Sequence, residues 1–252
     1  MATRGFTLIE LMIVIVILAV VAAIALPNLL AARLSANEAA AIATMREFVS
    51  AQAQFHTRAV ADTDGDGVGE YGTFAELSGS VGIRGGALLR PTVLGSSFRD
   101  VNINGEVVRS GYQFRVYLPD IGGDGQGEQA GGGAPVGVDP DMAETTWCAY
   151  AWPTDYEHSG VRTFFVNQQG QVMFATSTLY SGPGNGPLPG AAFVAGGAAT
   201  SITGRVAGGL TGRNDVGWRV PPHSSGRGRA RGAQLPDAGL GADGPAARGS
   251  SP

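Results

Sequence analysis

The chain has 252 residues, enough for one domain with extensions, and a net charge of −4 at pH 7. This acidic balance does not suggest nucleic acid, and no specific nucleic-acid partner is inferred. The only cysteine, Cys148, excludes an internal disulfide and any CxxC metal or redox motif, and its apolar neighbours predict a buried thiol.

An apolar stretch near the N-terminus, residues 6–26, carries one charged side chain, Glu10. Because an α-helix needs ~20 residues to cross the bilayer core, this stretch is long enough to be a transmembrane helix. A charge inside such a helix costs ~2.5–3.5 kcal/mol on insertion scales and usually has a partner. Two interpretations of Glu10 follow from the residues alone. The carboxylate reaches the membrane interface, or it pairs with a new amine at Phe6 after a cut behind Gly5.

Residues 4–11, Arg-Gly-Phe-Thr-Leu-Ile-Glu-Leu, resemble the cleavage and methylation signature of type IV prepilins and type II secretion pseudopilins. The resemblance is close over about the first 55 residues. It implies that a prepilin peptidase cuts between Gly5 and Phe6 and methylates the amine of Phe6. It also implies that Glu10 pairs with the N-terminal amine of an adjacent subunit, and that Pro27 lies where the family's helix is interrupted.

Beyond the apolar stretch, residues 28–58 are rich in strong helix formers. Pro27 removes one backbone hydrogen bond and is expected to kink or loosen the helix. Ile42, Met45 and Val49 share one helical face, which we expect to pack on a globular part. A helix over residues 6–58 would be roughly 80 Å long.

An acidic, glycine-rich loop follows this helix. Asp62, Asp64 and Asp66 occupy positions 1, 3 and 5 of a calcium-binding loop, and Glu70 falls at position 9. Position 12, where a bidentate glutamate is expected, is Thr73. The sequence therefore leaves two alternatives, a Ca²⁺ site built from the four acids or a solvated turn.

The middle of the chain reads as a series of short strands joined by turns. Hairpin links between strands that follow one long helix predict an antiparallel sheet packed on the helix, an α+β fold. The prepilin resemblance implies the same plan, with a sheet on the second half of the helix. Trp147, Tyr150 and Trp152 are expected to pack inside. The predicted strands are a hairpin at residues 101–108 turning at Asn104-Gly105, a strand at 112–118, a strand at 145–152, and a hairpin at 161–176.

These patterns divide the chain into four parts. We expect a cleaved leader at residues 1–5, a long helix at 6–58 whose first part (6–26) is the transmembrane and assembly segment, a β-rich head at 59–220, and a disordered tail at 221–252. Within the head the chain is expected to loosen from residue 181, with at most a poorly ordered strand in 191–206 and a last edge strand at 218–220.

No catalytic constellation is visible, so an enzyme is not expected. His56, His158 and His223 are far apart, and there is no GxSxG, HExxH or P-loop motif. The favoured function is a structural subunit of a type IV pilus or type II secretion pseudopilus, forming a homo- or hetero-polymer with other pilin-like subunits. Its further partners would be the prepilin peptidase, the inner-membrane assembly machinery and, before assembly, the lipid bilayer. It would sit in the bacterial inner membrane with its head in the periplasm, then in a periplasmic pseudopilus or an extracellular pilus.

The alternative is a membrane-anchored periplasmic module that binds its target in a calcium-dependent way and never polymerises. An uncut bond between Gly5 and Phe6 and a metal at Asp62, Asp64 and Asp66 would distinguish it.

Overall fold

The structure is a computed structural model that describes residues 6–221. The leader with Gly5, His223 and nearly all of the predicted tail lie outside the described residues. The first element is a helix, α1, from Leu8 to Thr57, which is 50 residues or about 75 Å long. It is the one helix in the described part of the chain that is long and apolar enough to cross a membrane.

Helix α1 continues through Pro27. Proline has no N–H, so the carbonyl of Ala23, one turn earlier, receives no bond from this position. The next residue adds a bond on the same turn, because the side chain of Asn28 donates to the carbonyl of Ile24 at 3.2 Å. The expected weak point is therefore a missing hydrogen bond within one continuous helix.

The two halves of α1 have different surroundings. Its apolar first half is exposed on all sides, and the membrane-length window is 0% buried. From Glu38 onward one face is buried against the rest of the molecule, while Ile42 and Val49 are half-buried at its edge. The predicted contact between this half and the globular part is confirmed. The buried face includes Met45, and Ile42 and Val49 lie at its edge. The large buried side chains of that face are Met45, Phe48, Gln52 and Phe55.

An antiparallel sheet of six strands forms the centre of the head. The spatial order is β1-β2-β4-β5-β6, and β3 pairs with β2 beside the end that β1 leaves free. The predicted α+β fold is confirmed. The strands are β1 (Val107–Arg109), β2 (Tyr112–Pro119), β3 (Gly125–Gly127), β4 (Cys148–Pro153), β5 (Arg162–Asn167) and β6 (Met173–Thr176).

The first hairpin turns at a different place from the one predicted. Arg109 of β1 lies opposite Tyr112 of β2, so the chain reverses at Ser110 and Gly111, whose φ angles are +48° and +76°. The prediction of a hairpin turning at Asn104-Gly105 is wrong. These residues form a local turn, because the side-chain oxygen of Asn102 accepts the N–H groups of Asn104 and Glu106 at 2.8 and 3.0 Å.

Two further helices are short. Helix α2 spans Phe74–Leu77. Helix α3 spans Pro140–Thr145 and was not predicted, so β4 begins at Cys148 instead of residue 145. Its start carries a readable signal, an N-cap aspartate followed by proline. Asp139 caps the helix by accepting the N–H of Met142 at 3.0 Å.

Both faces of the sheet are buried. Along β4, Ala149 and Ala151 face α1, whereas Cys148, Tyr150 and Trp152 face the opposite layer. Trp147, Tyr150 and Trp152 are at most 1% exposed, as expected for packing inside. The helix side is filled by α1 together with side chains of the sheet such as Val107, Phe114, Val116 and Phe164.

The opposite layer is the segment expected to be loose. Residues 177–220 contain no strand or helix, yet Phe193 and Trp218 are 2% and 0% exposed against the sheet. The predicted edge strand at 218–220 is a single residue pair, in which Phe174 and Arg219 exchange two backbone hydrogen bonds of 2.8 Å. This layer could not be predicted, because its small residues show no helical or strand periodicity.

Candidate assembly segment and acidic loop

The N-terminus of α1 is closed by a capping box. Oε2 of Glu10 accepts the N–H of Thr7 at 2.9 Å and its hydroxyl at 2.6 Å, and Oγ1 of Thr7 accepts the N–H of Glu10 at 3.3 Å. Glu10 therefore has two donors within its own chain. Thr7 was not singled out from the sequence, although Thr-Leu-Ile-Glu ahead of an apolar run is the signature of this cap.

Phe6 precedes this cap and is 81% exposed. A cut behind Gly5 would place an α-amine on Phe6, next to the residue that binds Glu10. All 17 basic side chains are arginines and the chain has no lysine, so the α-amine is its only primary amine. The arrangement makes the N-terminus the one place where an amine can meet the Glu10 carboxylate.

The exposed half of α1 is a continuous apolar surface. Ile9, Ile13 and Ile17 are 66%, 54% and 57% exposed and share one face of the helix with Met12 and Val16. Apolar surface of this extent on a soluble protein marks an interaction or membrane site. Lipid or another protein must therefore cover it.

The head holds α1 from residue 37 onward. The side chain of Asn37 donates to the carbonyl of Ser159 at 2.9 Å. Glu38 accepts the N–H of Val161 at 3.2 Å and pairs with Arg162 at 3.5 Å. These contacts mark the boundary between the free and the head-bound part of the helix.

Three acids of the predicted calcium loop come together. Carboxylate oxygens of Asp62, Asp64 and Asp66 lie within 4.8 Å of one another. The loop's own backbone orients them, since Asp62 accepts the N–H groups of Gly65 and Gly67 at 2.8 and 3.1 Å. Hard oxygen donors at this spacing suit a calcium ion.

The fourth predicted ligand lies elsewhere. Glu70 is 1% exposed, and its carboxylate accepts the N–H of Thr63 at 2.7 Å and pairs with Arg84 at 3.0 Å. The structure therefore does not bring Glu70 to the other three acids. Arg84, from a 3₁₀ turn that the sequence did not distinguish, also pairs with Glu76 at 2.7 Å.

Two acids from α3 lie near Asp64 instead. Oxygens of Asp64, Asp141 and Glu144 lie within 4.8 Å of one another. Loss of solvent raises the pKa of Glu144, and the charges of Asp66 and Asp64 act in the same direction. Loss of solvent also raises the pKa of Asp64, with repulsion from Asp66 adding to it. The cluster is thus a site of like-charge repulsion that a divalent cation would relieve. Its α3 half was hidden because the two segments are distant in sequence.

Within residues 6–221, the cysteine and the two histidines do not converge on a site. Cys148 is buried in the layer opposite α1, and burial raises the pKa of its thiol well above the usual range. His56 contacts the carbonyl of Glu144 at 3.0 Å, while His158 is exposed beside Asp155 at 3.5 Å. The expectation of a buried cysteine is confirmed.

Comparison with known proteins agrees with the N-terminal geometry. A family model described as the prokaryotic N-terminal methylation motif matches residues 1–26. A second model, the protein of unknown function DUF2950, matches residues 22–175, more than half of the chain. The type IV wide pilus major component PilA4 of Thermus thermophilus is 50% identical over 52 residues, which are 21% of this chain and 40% of that relative. No solved structure matches.

The match to the pilus component thus spans less than half of the relative and about a fifth of the chain, so it describes the N-terminal helix only. The DUF2950 match takes in most of α1 and the sheet as far as Ala175 in β6. The chain therefore belongs to the DUF2950 family, and its N-terminal region is that of a type IV prepilin-like protein.

Proposed function

We propose that this pilin-like chain polymerises through the exposed half of α1 as a structural subunit of a type IV pilus or a type II secretion pseudopilus. The observation that carries the proposal is the helix itself. Its membrane-length window is 0% buried, while the same helix from Glu38 onward is built into the head. One half is thus free to exchange its surroundings without disturbing the fold. The name of the Thermus relative favours the pilus among the two filaments.

Before assembly the protein lies in the inner membrane. The bilayer covers the free half of α1, and the head is in the periplasm. The prepilin peptidase removes residues 1–5 and methylates the amine of Phe6. The inner-membrane assembly machinery then moves the helix from lipid into contact with the helices of pilin-like neighbours, identical or different. Lipid tails and apolar side chains are similarly apolar, so this step is driven by packing and by polar pairing.

Glu10 supplies the polar pairing. Its carboxylate in hydrocarbon costs ~2.5–3.5 kcal/mol, which an amine partner would offset. The carboxylate lies at the start of the helix, where it accepts the hydroxyl and N–H of Thr7 and where the Phe6 amine of a neighbouring subunit would reach it. In this proposal Pro27 leaves the carbonyl of Ala23 without its helical hydrogen bond, within the free half of α1 that moves from lipid to the filament. The head then extends to residue 220.

The test is to shear cells, separate surface filaments from membranes, and determine the N-terminus in each fraction by mass spectrometry. A chain that begins with methylated Phe6 in the filaments supports the pilus. The same processed chain confined to membranes supports a pseudopilus subunit. An intact Met1 leader in every fraction overturns the proposal.

A second candidate is a membrane-anchored, calcium-dependent periplasmic module that does not polymerise. The position of Asp64 favours it, because this acid lies in two groups of three carboxylates, one with Asp62 and Asp66 and one with Asp141 and Glu144 of α3. Calorimetric titration of the detergent-solubilised chain with Ca²⁺ tests the metal. Binding heat together with an uncut N-terminus would support this module, and absence of heat would remove it.

A further inference from the structure

The layer opposite α1 is folded without regular secondary structure. Residues 190–204 are almost entirely glycine, alanine, serine and threonine, which supply little apolar area of their own. They nevertheless close the second core, with Ala191 and Ala192 at most 1% exposed and Ile202 at 2%. Such a segment needs an organising contact to offset the entropy of ordering it.

That contact is the guanidinium of Arg213. Its Nη1 donates to the carbonyls of Ala198 and Ser201 at 2.8 and 2.5 Å. Its Nε donates to the carbonyl of Val194 at 3.2 Å, and Nη2 donates to the carbonyl of Thr203 at 3.4 Å. One planar cation therefore joins four carbonyls of the same loop. We name these carbonyls, of Val194, Ala198, Ser201 and Thr203, the carbonyl cage.

The cage is shaped around the cation. A Cβ at Gly197 would lie 2.6 Å from Nη2 of Arg213, and one at Gly190 would lie 2.9 Å from Nη1. The ring of Phe193 lies 5.8 Å from the guanidinium carbon on the buried side. Within residues 6–221 Arg213 forms no ion pair with a carboxylate, so its charge is balanced by carbonyl dipoles and the aromatic face.

We propose that the carbonyl cage is a cation-binding site whose resident ligand is the chain's own Arg213, so that this layer closes without a metal ion. A guanidinium fits because its donors form a rigid fork that reaches several carbonyls at once. The ammonium of lysine has three donors at a single point and cannot span the same set. This inference is independent of polymerisation.

The first test is chemical rescue, followed by amide hydrogen exchange in the full chain in detergent micelles. In Arg213→Ala we expect the amides of the layer, such as those of Gly190, Val194 and Ser201, to exchange at least about tenfold faster than in the wild type. Methylguanidinium at tens of millimolar should restore much of this protection, and tetramethylammonium, which has no N–H donor, should not. The matched control is Arg205→Ala, whose exposed side chain lies outside the cage.

A second variant keeps the test decisive if Arg213→Ala does not fold. Gly197→Ala should push the guanidinium out of the cage and loosen the same amides, although every charge is retained. The control, Gly217→Ala, has no atom within 4 Å of the added Cβ and should leave exchange unchanged.

The proposal is supported if methylguanidinium rescues Arg213→Ala and if EDTA leaves the wild-type layer protected. It is overturned if Arg213→Ala and Gly197→Ala exchange like the wild type, if tetramethylammonium rescues equally well, or if EDTA alone opens the layer.

Discussion

The carboxylate of Glu10 accepts two hydrogen bonds from Thr7, one from the backbone N–H at 2.9 Å and one from the hydroxyl at 2.6 Å. This local pair offers an explanation of Glu10 that competes with assembly, because a capping box alone stabilises the first turn of a helix. The two roles are separable, since a cap needs both residues and pairing with a neighbour's amine needs only the acid.

Glu10→Val is expected to insert into the membrane normally and to enter filaments much less than the wild type. The apolar residue removes the group that the neighbour's amine would neutralise. Thr7→Val removes only the capping hydroxyl, at a cost of about 0.5–2 kcal/mol in the first turn, so its filament yield should stay near the wild type. Yields are compared in sheared fractions by immunoblot. A normal yield from Glu10→Val, or an equal loss in both variants, would refute the pairing.

The absence of lysine gives a direct assay for processing. Amine-reactive reagents should label one position per unmethylated chain, the N-terminus. Replacing Gly5 by a bulky residue is expected to block the cut, so that the label stays on Met1 and no chain begins at Phe6. Peptide mass spectrometry of the membrane fraction measures both the labelled residue and the first residue of the chain. Arg4→Gln, which leaves Gly5 in place, serves as the control. Recovery of the shortened chain from the Gly5 variant would disprove the cut site.

The acidic cluster predicts how Asp64 responds to calcium. Loss of solvent, with repulsion from Asp66 adding to it, raises the pKa of Asp64, so folding disfavours its charged form. This penalty is present at neutral pH and disappears in acid. Asp64→Asn should therefore raise the melting temperature of the head in EGTA. Added Ca²⁺ should raise the melting temperature of the wild type and have little effect on the variant. Asp155→Asn, remote from the cluster, is the control. An unchanged wild-type melting temperature in Ca²⁺ would argue for a solvated turn.

Much of the head could be predicted from the sequence, because the pattern of residue types indicates where strands form. Strand β2 is rich in strand-forming residues, and β5 and β6 are two such runs joined by a turn. All three strands were placed within one or two residues. The long helix was legible from its apolar run and its helix formers. Asn104-Gly105 misled because the dipeptide favours a tight turn wherever it occurs, whereas a hairpin also needs a partner strand, and residues 101–103 have none.

The rest depended on contacts between distant residues. Glu70 was read as a metal ligand from its spacing, but Arg84, fourteen residues later, lies against its carboxylate. The α3 half of the acidic cluster required knowledge of where Asp141 and Glu144 lie in space. The layer of residues 177–220 has no period to detect, since its order comes from Arg213 and from aromatic groups of the sheet, such as the hydroxyl of Tyr150 on the carbonyl of Pro189 at 2.7 Å.

Glu128 predicts a pH dependence of head stability. Burial raises the pKa of this carboxyl to about 7, although the N–H groups of Phe74 and Ala75 donate to it at 3.1 and 2.9 Å. The folded state therefore binds a proton more tightly than the unfolded state, whose pKa is 4.5. Stability from this group should be full below pH 4.5 and should be lost as the pH rises through 7, a change of roughly 3 kcal/mol.

Urea unfolding between pH 4.5 and 8, followed by tryptophan fluorescence, measures this dependence. The readout is specific because all three tryptophans lie buried in the head. Glu128→Gln should remove the dependence in this window, and Glu47→Gln, an exposed control, should retain it. A flat wild-type profile would contradict the assignment to Glu128.

A substitution at Phe48, compared with one on the free half of α1, tests whether only the second half of the helix stabilises the head. The ring of Phe48 is 1% exposed and lies 4.6 Å from the ring of Phe74 and 5.1 Å from that of Trp147. Phe48→Ala should lower the free energy of unfolding of the head by about 3–5 kcal/mol, because it leaves a cavity between helix and sheet. The matched variant Ile17→Ala, on the free half, should leave tryptophan-detected unfolding unchanged and reduce incorporation into filaments. Loss of head stability in Ile17→Ala would mean that the free half contacts the head, and the division of α1 at residue 37 would then be wrong.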